Sequence, residues 1–266
     1  MGKLGVGLAL ALSLTSTVLA FDSSHNLWKQ VLDKYRTQAG GVAYGPLKAD
    51  TEKDSAHPLS AYLKSLSEVS YQMFSSWDRN AQMAFLINAY NAFTVRWIVD
   101  HYPVSSIKKT VGWFASPWKQ EFFSLLEGKI THLDAIEHDW LRKKYEDARI
   151  HAAVNCASIS CPILQATPFT AKNLDAQLEG AFRAFLQDPS RNRYEPDSGV
   201  LNVSKIFDWF ESDFEKSYGS VKNTIERFGP PGAQRALNKK GTLRYLDYDW
   251  GLNDSAAPPA ALSRKR

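Results

Sequence analysis

Hydrophobic residues recur at helical spacing along much of the chain. The longest such segment runs from about residue 79 to residue 101, follows a capping Asp78, and is apolar on nearly all sides. A helix with so little polar surface is expected at the centre of a hydrophobic core. The same spacing predicts shorter helices over residues 27–35, 133–145, 171–187 and 205–216, and after Pro58 and Ser220.

Strand-like segments are short and scattered among the predicted helices. Residues 150–154, 200–203 and 242–249 are predicted as strands, and residues 122–132 as a hairpin. The predicted strands and helices do not alternate as they do in βαβ units, and the sequence has no glycine-rich nucleotide loop. Both features argue against nucleotide-binding folds. The pattern predicts a single helix-rich α+β domain with a small mixed or antiparallel sheet, and a papain-like arrangement is one form of such a domain.

The first 20 residues have the pattern of an export signal. Lys3 precedes an apolar run over residues 4–14, and Val18-Leu19-Ala20 places small or β-branched residues before a cleavage point. The run is shorter than the roughly 20 apolar residues of a membrane-spanning helix. Residues 1–20 are therefore predicted to be a cleaved signal peptide, with an uncleaved N-terminal anchor as the alternative.

Cleavage after Ala20 leaves a domain over residues 21–255 and a tail over residues 256–266. The tail is rich in alanine and proline and ends in a short basic run, which predicts disorder. No later segment has an apolar run without charges that is long enough to span a membrane. The domain is therefore expected to be exported to the periplasm or secreted, and to meet oxidising conditions.

Composition excludes several classes of protein. Of the 266 residues, 44% are hydrophobic and 23% are charged, and the formal net charge is +4. These values are typical of a globular domain and exclude wholesale disorder, a coiled coil and a multi-span membrane protein. The charge is too small for a nucleic-acid-binding surface, and the cysteines and histidines lack metal-binding spacing. The expected partner is an unidentified small-molecule or peptide substrate, with no cofactor and no nucleic acid.

Two cysteines, Cys156 and Cys161, lie five positions apart between His151 and Pro162. In an oxidising compartment, the structural interpretation is a disulfide that closes a tight loop. The functional interpretation is a reactive thiol, with Cys156 as the nucleophile and Cys161 as a neighbour or a resolving thiol. A nucleophilic cysteine needs a pKa that is depressed by a histidine, a cation or a helix N-terminus. The sequence leaves both interpretations open.

Two motifs supply candidate groups to activate the thiol. His151 lies five residues before Cys156, and on a straight strand this spacing puts the two side chains on opposite faces, so direct pairing requires the chain to turn. His138 follows Glu137 on a predicted helix and shares a helix face with Arg142. The residues of this second motif can equally form an exposed charged face.

Three further polar residues are candidates for the site. Asn88 and Asn91 share one face of the apolar helix, where a buried amide must be hydrogen-bonded. They either tie the helix to loop backbone or line a site beside the cysteines. Asp249 lies in a polar and aromatic run over residues 248–253. It either caps the sheet or orients a histidine as the third member of a Cys-His-Asp relay.

These motifs together resemble the bacterial exported family catalogued as domain of unknown function 547. The resemblance covers roughly residues 70–253. It rests on FLINAYNA at 85–92, LDAIEH at 133–138 with Arg142, IHAAVNCASISCP at 150–162, SKIFDWF at 204–210 with Asp213 and Phe214, and YDWGLN at 248–253. One departure is Ile163, which follows Pro162 where the family pattern has a second proline. The resemblance implies an exported or envelope protein with one α+β domain, and it implies no established reaction, cofactor, partner or catalytic residue.

The leading hypothesis is a thiol enzyme of the cell envelope, a hydrolase or transferase with the logic of papain-like enzymes. Cys156 would attack an acyl or thiol substrate. His151 or His138 would act as the base. Glu137 or Asp249 would orient that base.

The remaining roles and the alternative complete the prediction. Asn88 and Asn91 would hold the substrate or the oxyanion. The alternative is a non-catalytic binding module in which a Cys156–Cys161 disulfide shapes a recognition loop. A thiol-disulfide oxidoreductase that cycles these two residues is a third possibility, although redox pairs usually have C-x-x-C spacing.

Overall fold

The structure is a computed structural model that describes residues 21–254. The predicted signal peptide over residues 1–20 and the predicted tail over residues 256–266 lie outside the described residues. Within residues 21–254, no helix is both long enough and apolar enough to cross a membrane.

Helices account for more than half of the described chain. The α-helices are α1 Asn26–Tyr35, α2 Tyr44–Lys53, α3 Pro58–Ser67, α4 Tyr71–Ser76, α5 Arg79–His101, α6 Leu174–Gln187, α7 Ile206–Trp209, α8 Glu211–Tyr218, α9 Val221–Phe228 and α10 Pro231–Lys239. Short 3-10 helices span Ile107–Lys109, Pro117–Lys119, Ala148–Ala152 and Ala171–Asn173, and a π-helix spans Ala135–Tyr145. The strands are β1 Arg193–Glu195, β2 Val200–Val203 and β3 Thr242–Tyr245.

Helix α5 runs through the centre of the larger hydrophobic core, as its pattern predicts. The Asp78 side chain accepts the backbone N–H of Ala81 at 2.8 Å and caps the first turn. Beyond that turn most of the helix is buried, and it packs against α2, α3 and the π-helix. Asn88 and Asn91 are buried with it. Because buried amides require partners, these two side chains determine how the neighbouring loops are held.

Two hydrophobic clusters build the domain. The larger cluster surrounds α5 and includes side chains of α1 to α4, the π-helix and the hairpin region. The smaller cluster joins α6 to α10 with the sheet and is rich in phenylalanine. The candidate site lies where the two clusters meet, since its lining takes Tyr90 from the first and Ile206 from the second.

The sheet has the strand order β1-β2-β3. Strand β1 pairs antiparallel with β2, with Tyr194 opposite Leu201, and β2 pairs parallel with β3, with Leu201 opposite Leu243. The predicted α+β class, rich in helix and with a small mixed sheet, is confirmed. The papain-like arrangement stays a prediction.

The segment over residues 150–154 is not a strand, so that prediction is wrong. It belongs to the 3-10 helix Ala148–Ala152, in which the Asp147 carboxylate accepts the N–H of Arg149 at 3.1 Å. A short apolar run suits a buried strand and a buried helical turn equally well, because length and periodicity cannot separate them. The chain therefore coils before it enters the cysteine loop.

Other segments differ from the prediction in extent. Residues 122–132 form only a brief hairpin, in which Leu125 pairs with Ile130. The helix predicted over 205–216 is divided into α7 and α8 at Phe210. Helices α2, α4 and α10 were not predicted. Helix α10 begins at Pro231, which fits the first helical position because no backbone N–H is needed there.

Candidate functional site

A cavity of about 200 Å³ opens between the two hydrophobic clusters. Its wall brings together five residues that the sequence singled out: Glu137, His138, His151, Cys156 and Cys161. Aromatic side chains form much of the remaining wall: Tyr90, Trp118, Trp209, Phe210, Tyr248 and Trp250. Such a lining, mostly apolar with a few convergent polar groups, is typical of a small-molecule site.

The loop that carries both cysteines is closed by amide side chains. The Asn91 carbonyl oxygen accepts the backbone N–H of Asn155 at 2.8 Å. The Asn155 side chain in turn accepts the N–H of Ala157 at 2.9 Å and donates to the carbonyl oxygen of Pro162 at 2.7 Å. Ala157 has a positive φ of 60° and folds the loop back on itself. These bonds bring the two ends of the loop together, and the two cysteines with them.

Cys156 and Cys161 are free thiols in direct contact. The backbone N–H of Cys156 donates to the sulfur of Cys161 at 2.8 Å. The Cys156 sulfur lies 3.2 Å from the Tyr248 hydroxyl and 3.1 Å from the Ser158 hydroxyl. Cys161 is buried, whereas Cys156 is partly exposed. Cys156 is therefore the more accessible residue of the pair.

The two thiols titrate as a pair that shares one proton. Burial alone would raise the pKa of Cys161, but hydrogen bonds from the Cys156 thiol, the Tyr248 hydroxyl and the Cys156 backbone lower it to about 7. Burial and the neighbouring sulfur raise the pKa of Cys156 well above its ordinary range. Near pH 7 about half of the molecules therefore carry one negative charge on the pair, and these hydrogen bonds favour that charge on Cys161.

A hydroxyl and a cation face the thiol pair. Burial and the nearby thiolate charge raise the pKa of Tyr248 well above its ordinary value, so its hydroxyl stays protonated and can donate. Lys108 lies over the ring of Trp250, with its Nζ 3.5 Å from the ring centroid. Burial lowers the pKa of Lys108, and a negative charge on Cys156 partly offsets this. Such surroundings favour a thiolate.

His151 is held by a carboxylate that lies far away in sequence. Its Nε2 lies 2.7 Å from an Asp213 oxygen, and its ring stacks on Phe210 at a centroid distance of 3.9 Å. Its Nδ1 is buried without a hydrogen-bond partner, and the nearest acid is Glu137, 3.9 Å away. The bond to Asp213 assigns the proton to Nε2, which leaves a free lone pair on Nδ1.

Arg142 fixes Asp213 in this position. Its guanidinium donates two hydrogen bonds to the Asp213 carboxylate, at 2.6 and 2.9 Å. A third guanidinium nitrogen lies 2.7 Å from Nδ1 of His138, which accepts the hydrogen bond. Burial alone would raise the pKa of Asp213, but hydrogen bonds from His151 and Arg142 hold it well below its usual range. The carboxylate is therefore a permanent anion at neutral pH.

The stability of the fold is expected to depend on Asp213 in acid. Folding lowers the pKa of the Asp213 carboxyl, so its ionised form stabilises the native state. This contribution is complete above the pKa of an aspartate in the unfolded chain, and it is lost as the pH falls toward the pKa of Asp213 in the folded protein. We expect the difference in unfolding free energy between the wild type and Asp213→Asn to be constant from pH 5 to 7 and to shrink below about pH 4. Urea unfolding at several pH values measures this. A difference that grows in acid would contradict the assignment.

Three predicted residues are placed away from the cavity wall. Asn88 is bonded through both amide atoms to the backbone of Phe169. Asn91 is bonded in the same way to loop backbone, so both amides hold chain segments in place. Asp249 is exposed, and its carboxylate accepts the N–H of Gly251 at 2.8 Å. The structure does not bring Asp249 to a histidine.

Two residues at the candidate site were not among the predicted site residues. Asp213 lies on the polar helix α8, 62 positions from His151, and no local pattern links the two. Tyr248 follows the sheet, 92 positions from Cys156. Both belong to motifs that supported the family resemblance, and this is the signal that could have identified them. Among residues 21–254, no three His, Cys, Asp or Glu side chains are grouped to hold a metal ion.

The site and the fold together define an α+β domain with a paired-thiol cavity. Residues 74–186 match the model of the family described as "Protein of unknown function, DUF547". The match includes α5, the π-helix and the cysteine loop, and it supports this domain family for the segment. No curated protein and no solved structure matches the chain. The reaction must therefore be argued from the side chains.

Proposed function

We propose that the chain is a thiol-dependent acyl hydrolase or acyltransferase whose reactive centre is the Cys156–Cys161 pair. The observation that carries the proposal is a pair of free thiols in contact at the wall of a cavity. The pKa of about 7 on Cys161 makes a thiol proton of the pair mobile at neutral pH. Stability alone gives no reason for two unlinked thiols in contact.

The first half-reaction acylates Cys156. The Cys161 thiolate accepts the Cys156 proton as the Cys156 sulfur attacks the substrate carbonyl carbon. The Tyr248 and Ser158 hydroxyls lie beside that sulfur and would donate to the oxyanion that forms. The bond from the carbonyl carbon to the leaving group then breaks. The proton passes from Cys161 to the leaving group, and a thioester remains on Cys156.

The second half-reaction uses His151 as the base. Its free Nδ1 would accept a proton from water or from an acceptor thiol, whose oxygen or sulfur attacks the thioester. Asp213 keeps the opposite nitrogen protonated and stabilises the imidazolium, the orienting role that the sequence gave to Glu137 or Asp249. Cys156 leaves as the thiolate and takes back a proton from His151. Every proton is then at its starting position.

Alkylation of the native chain tests the first requirement of this proposal. We expect wild-type protein treated with iodoacetamide to gain one adduct, at a rate that rises with a midpoint near pH 7. A small-molecule thiol with a pKa of about 8.5, treated in parallel, is the matched control. Mass spectrometry of timed samples gives the rate and identifies the residue. A midpoint at or above that of the control would refute the shared-proton centre.

The binding module remains the second candidate, because aromatic side chains such as Trp118, Trp209 and Trp250 line the cavity. This reading requires a Cys156–Cys161 disulfide in the protein as it is produced. We infer export from the pattern over residues 1–20, and an oxidising compartment favours such a bond. The test is to purify the protein from the exporting compartment without reductant, alkylate it and measure its mass. The number of adducts distinguishes the thiol enzyme from the binding module. No adduct before reduction and two after it would support the binding module.

A further inference from the structure

The segment between α5 and the hairpin presents two large apolar side chains almost entirely to solvent. Trp113 is 91% exposed and Phe114 is 99% exposed. They occupy the central positions of a turn that is closed by a hydrogen bond from the N–H of Ala115 to the carbonyl oxygen of Gly112. Exposing two adjacent aromatic rings at a turn costs solvation free energy, so a bound partner is expected to cover them.

The charged side chains that flank this turn in sequence are all lysines. Between Asp100 and Glu121, the segment holds three lysines and no acidic residue. Lys109 and Lys119 are exposed on either side of the turn. Aromatic rings flanked by lysines are the composition of segments that insert into the interface of an anionic bilayer, where the rings sit at headgroup level and the lysines meet lipid phosphates.

Residues on both sides of the turn pack against Trp250 at the rim of the cavity. Before the turn, the Lys108 side chain lies over the Trp250 ring. After the turn, Trp118 packs edge-on against the same ring at a centroid distance of 5.5 Å. Pro117 is buried, and Val111 packs on the larger core. Both ends of the segment therefore meet at Trp250, which lines the cavity.

We propose that the Trp113-Phe114 turn is a membrane-docking element that inserts into the surface of an anionic phospholipid bilayer. The lysines attract the surface and the two rings anchor in it. Because the base of the segment is Trp250, docking places the cavity rim at the headgroup level. The cavity would then meet substrates that are embedded in or attached to the membrane. This docking does not depend on the chemistry of the thiol pair.

Vesicle sedimentation tests the proposal. The chain without residues 1–20 is mixed with vesicles of phosphatidylglycerol and phosphatidylethanolamine, or of phosphatidylcholine alone. We expect binding to the anionic vesicles and weak binding to the neutral ones. The double variant Trp113→Ala, Phe114→Ala should lose about tenfold or more in partition coefficient. Lys109→Glu should lose about fivefold or more and weaken the dependence on salt.

Two control variants make the result specific. Tyr71→Ala removes an exposed aromatic ring elsewhere on the surface, and Lys172→Glu changes an exposed lysine outside the segment. Both should bind like the wild type. Thiol alkylation at the wild-type rate shows that each variant is folded. Cys156→Ser should also bind vesicles like the wild type. A failure of the proposed enzyme chemistry can therefore be distinguished from a failure of membrane docking. Equal binding by wild type and double variant, or no binding to anionic vesicles, would overturn the proposal.

Discussion

Replacing Cys156 with serine is expected to abolish acyl transfer, with a loss of about 10³-fold or more in kcat/KM toward an activated thioester or ester. The reason is that the group proposed to accept the proton from this side chain, the Cys161 thiolate, cannot ionise a serine hydroxyl. The Cys161 thiolate, with its pKa of about 7, is far too weak a base for an alcohol. Mass spectrometry should detect an acyl adduct on Cys156 in the wild type and none in the variant.

Cys161→Ser gives the contrasting result. Cys156 then keeps its nucleophilic sulfur but loses the neighbour that takes its proton. Because burial is the main cause that raises the pKa of Cys156, this pKa should stay above its ordinary value in the variant. We expect the pH–rate profile to move up from pH 7 to above about 8.5, with rates at high pH partly retained. If Cys161→Ser lost its adduct while Cys156→Ser kept one, Cys161 would be the nucleophile and the assigned roles would be reversed.

The fold was predictable where a segment's pattern and its end signals agree. Helix α5 has an uninterrupted apolar pattern, an Asp78 cap and a proline after it, and the structure begins and ends the helix at the predicted residues. Helix α2 fails this test, because its glycine, proline and charged residues resemble a loop. It forms because Tyr44 and Leu47 are buried against the core. Tertiary burial decides such segments, and no local signal reports it.

The sequence predicted most of the polar residues that line the candidate site, but only some of the contacts between them. Residue chemistry singled out the thiols, His151 and Glu137, and the cavity brings them together. The hydrogen bond between His151 and Asp213 was not predicted, because it depends on how α8 packs against the 3-10 helix Ala148–Ala152. Packing of this kind, between segments far apart in sequence, leaves no periodic trace in the chain. Only the clustering of family-like motifs indicated that these segments belong together.

Asn91→Ala is expected to lower the free energy of unfolding by about 3 kcal/mol and to raise the pKa of the thiol pair. The substitution leaves the carbonyl oxygen of Ala153 and the N–H of Asn155 buried without partners. Asn155 directly precedes Cys156, whose own N–H stabilises the Cys161 thiolate. Loosening Asn155 therefore weakens that hydrogen bond. Urea unfolding measures the first effect, and the pH midpoint of alkylation measures the second.

Asn88→Ala is the matched control on the same helix. Asn88 is equally buried and equally bonded to backbone through both amide atoms, but its partner is Phe169 rather than the cysteine loop. It should lower the free energy of unfolding by a similar amount, about 3 kcal/mol, and leave the alkylation midpoint near that of the wild type. Equal shifts of the midpoint in both variants would show that general loosening, and not the Asn91 contact, sets the thiol pKa. A shift confined to Asn91→Ala would show that a buried helix amide controls the reactivity of the cysteine loop.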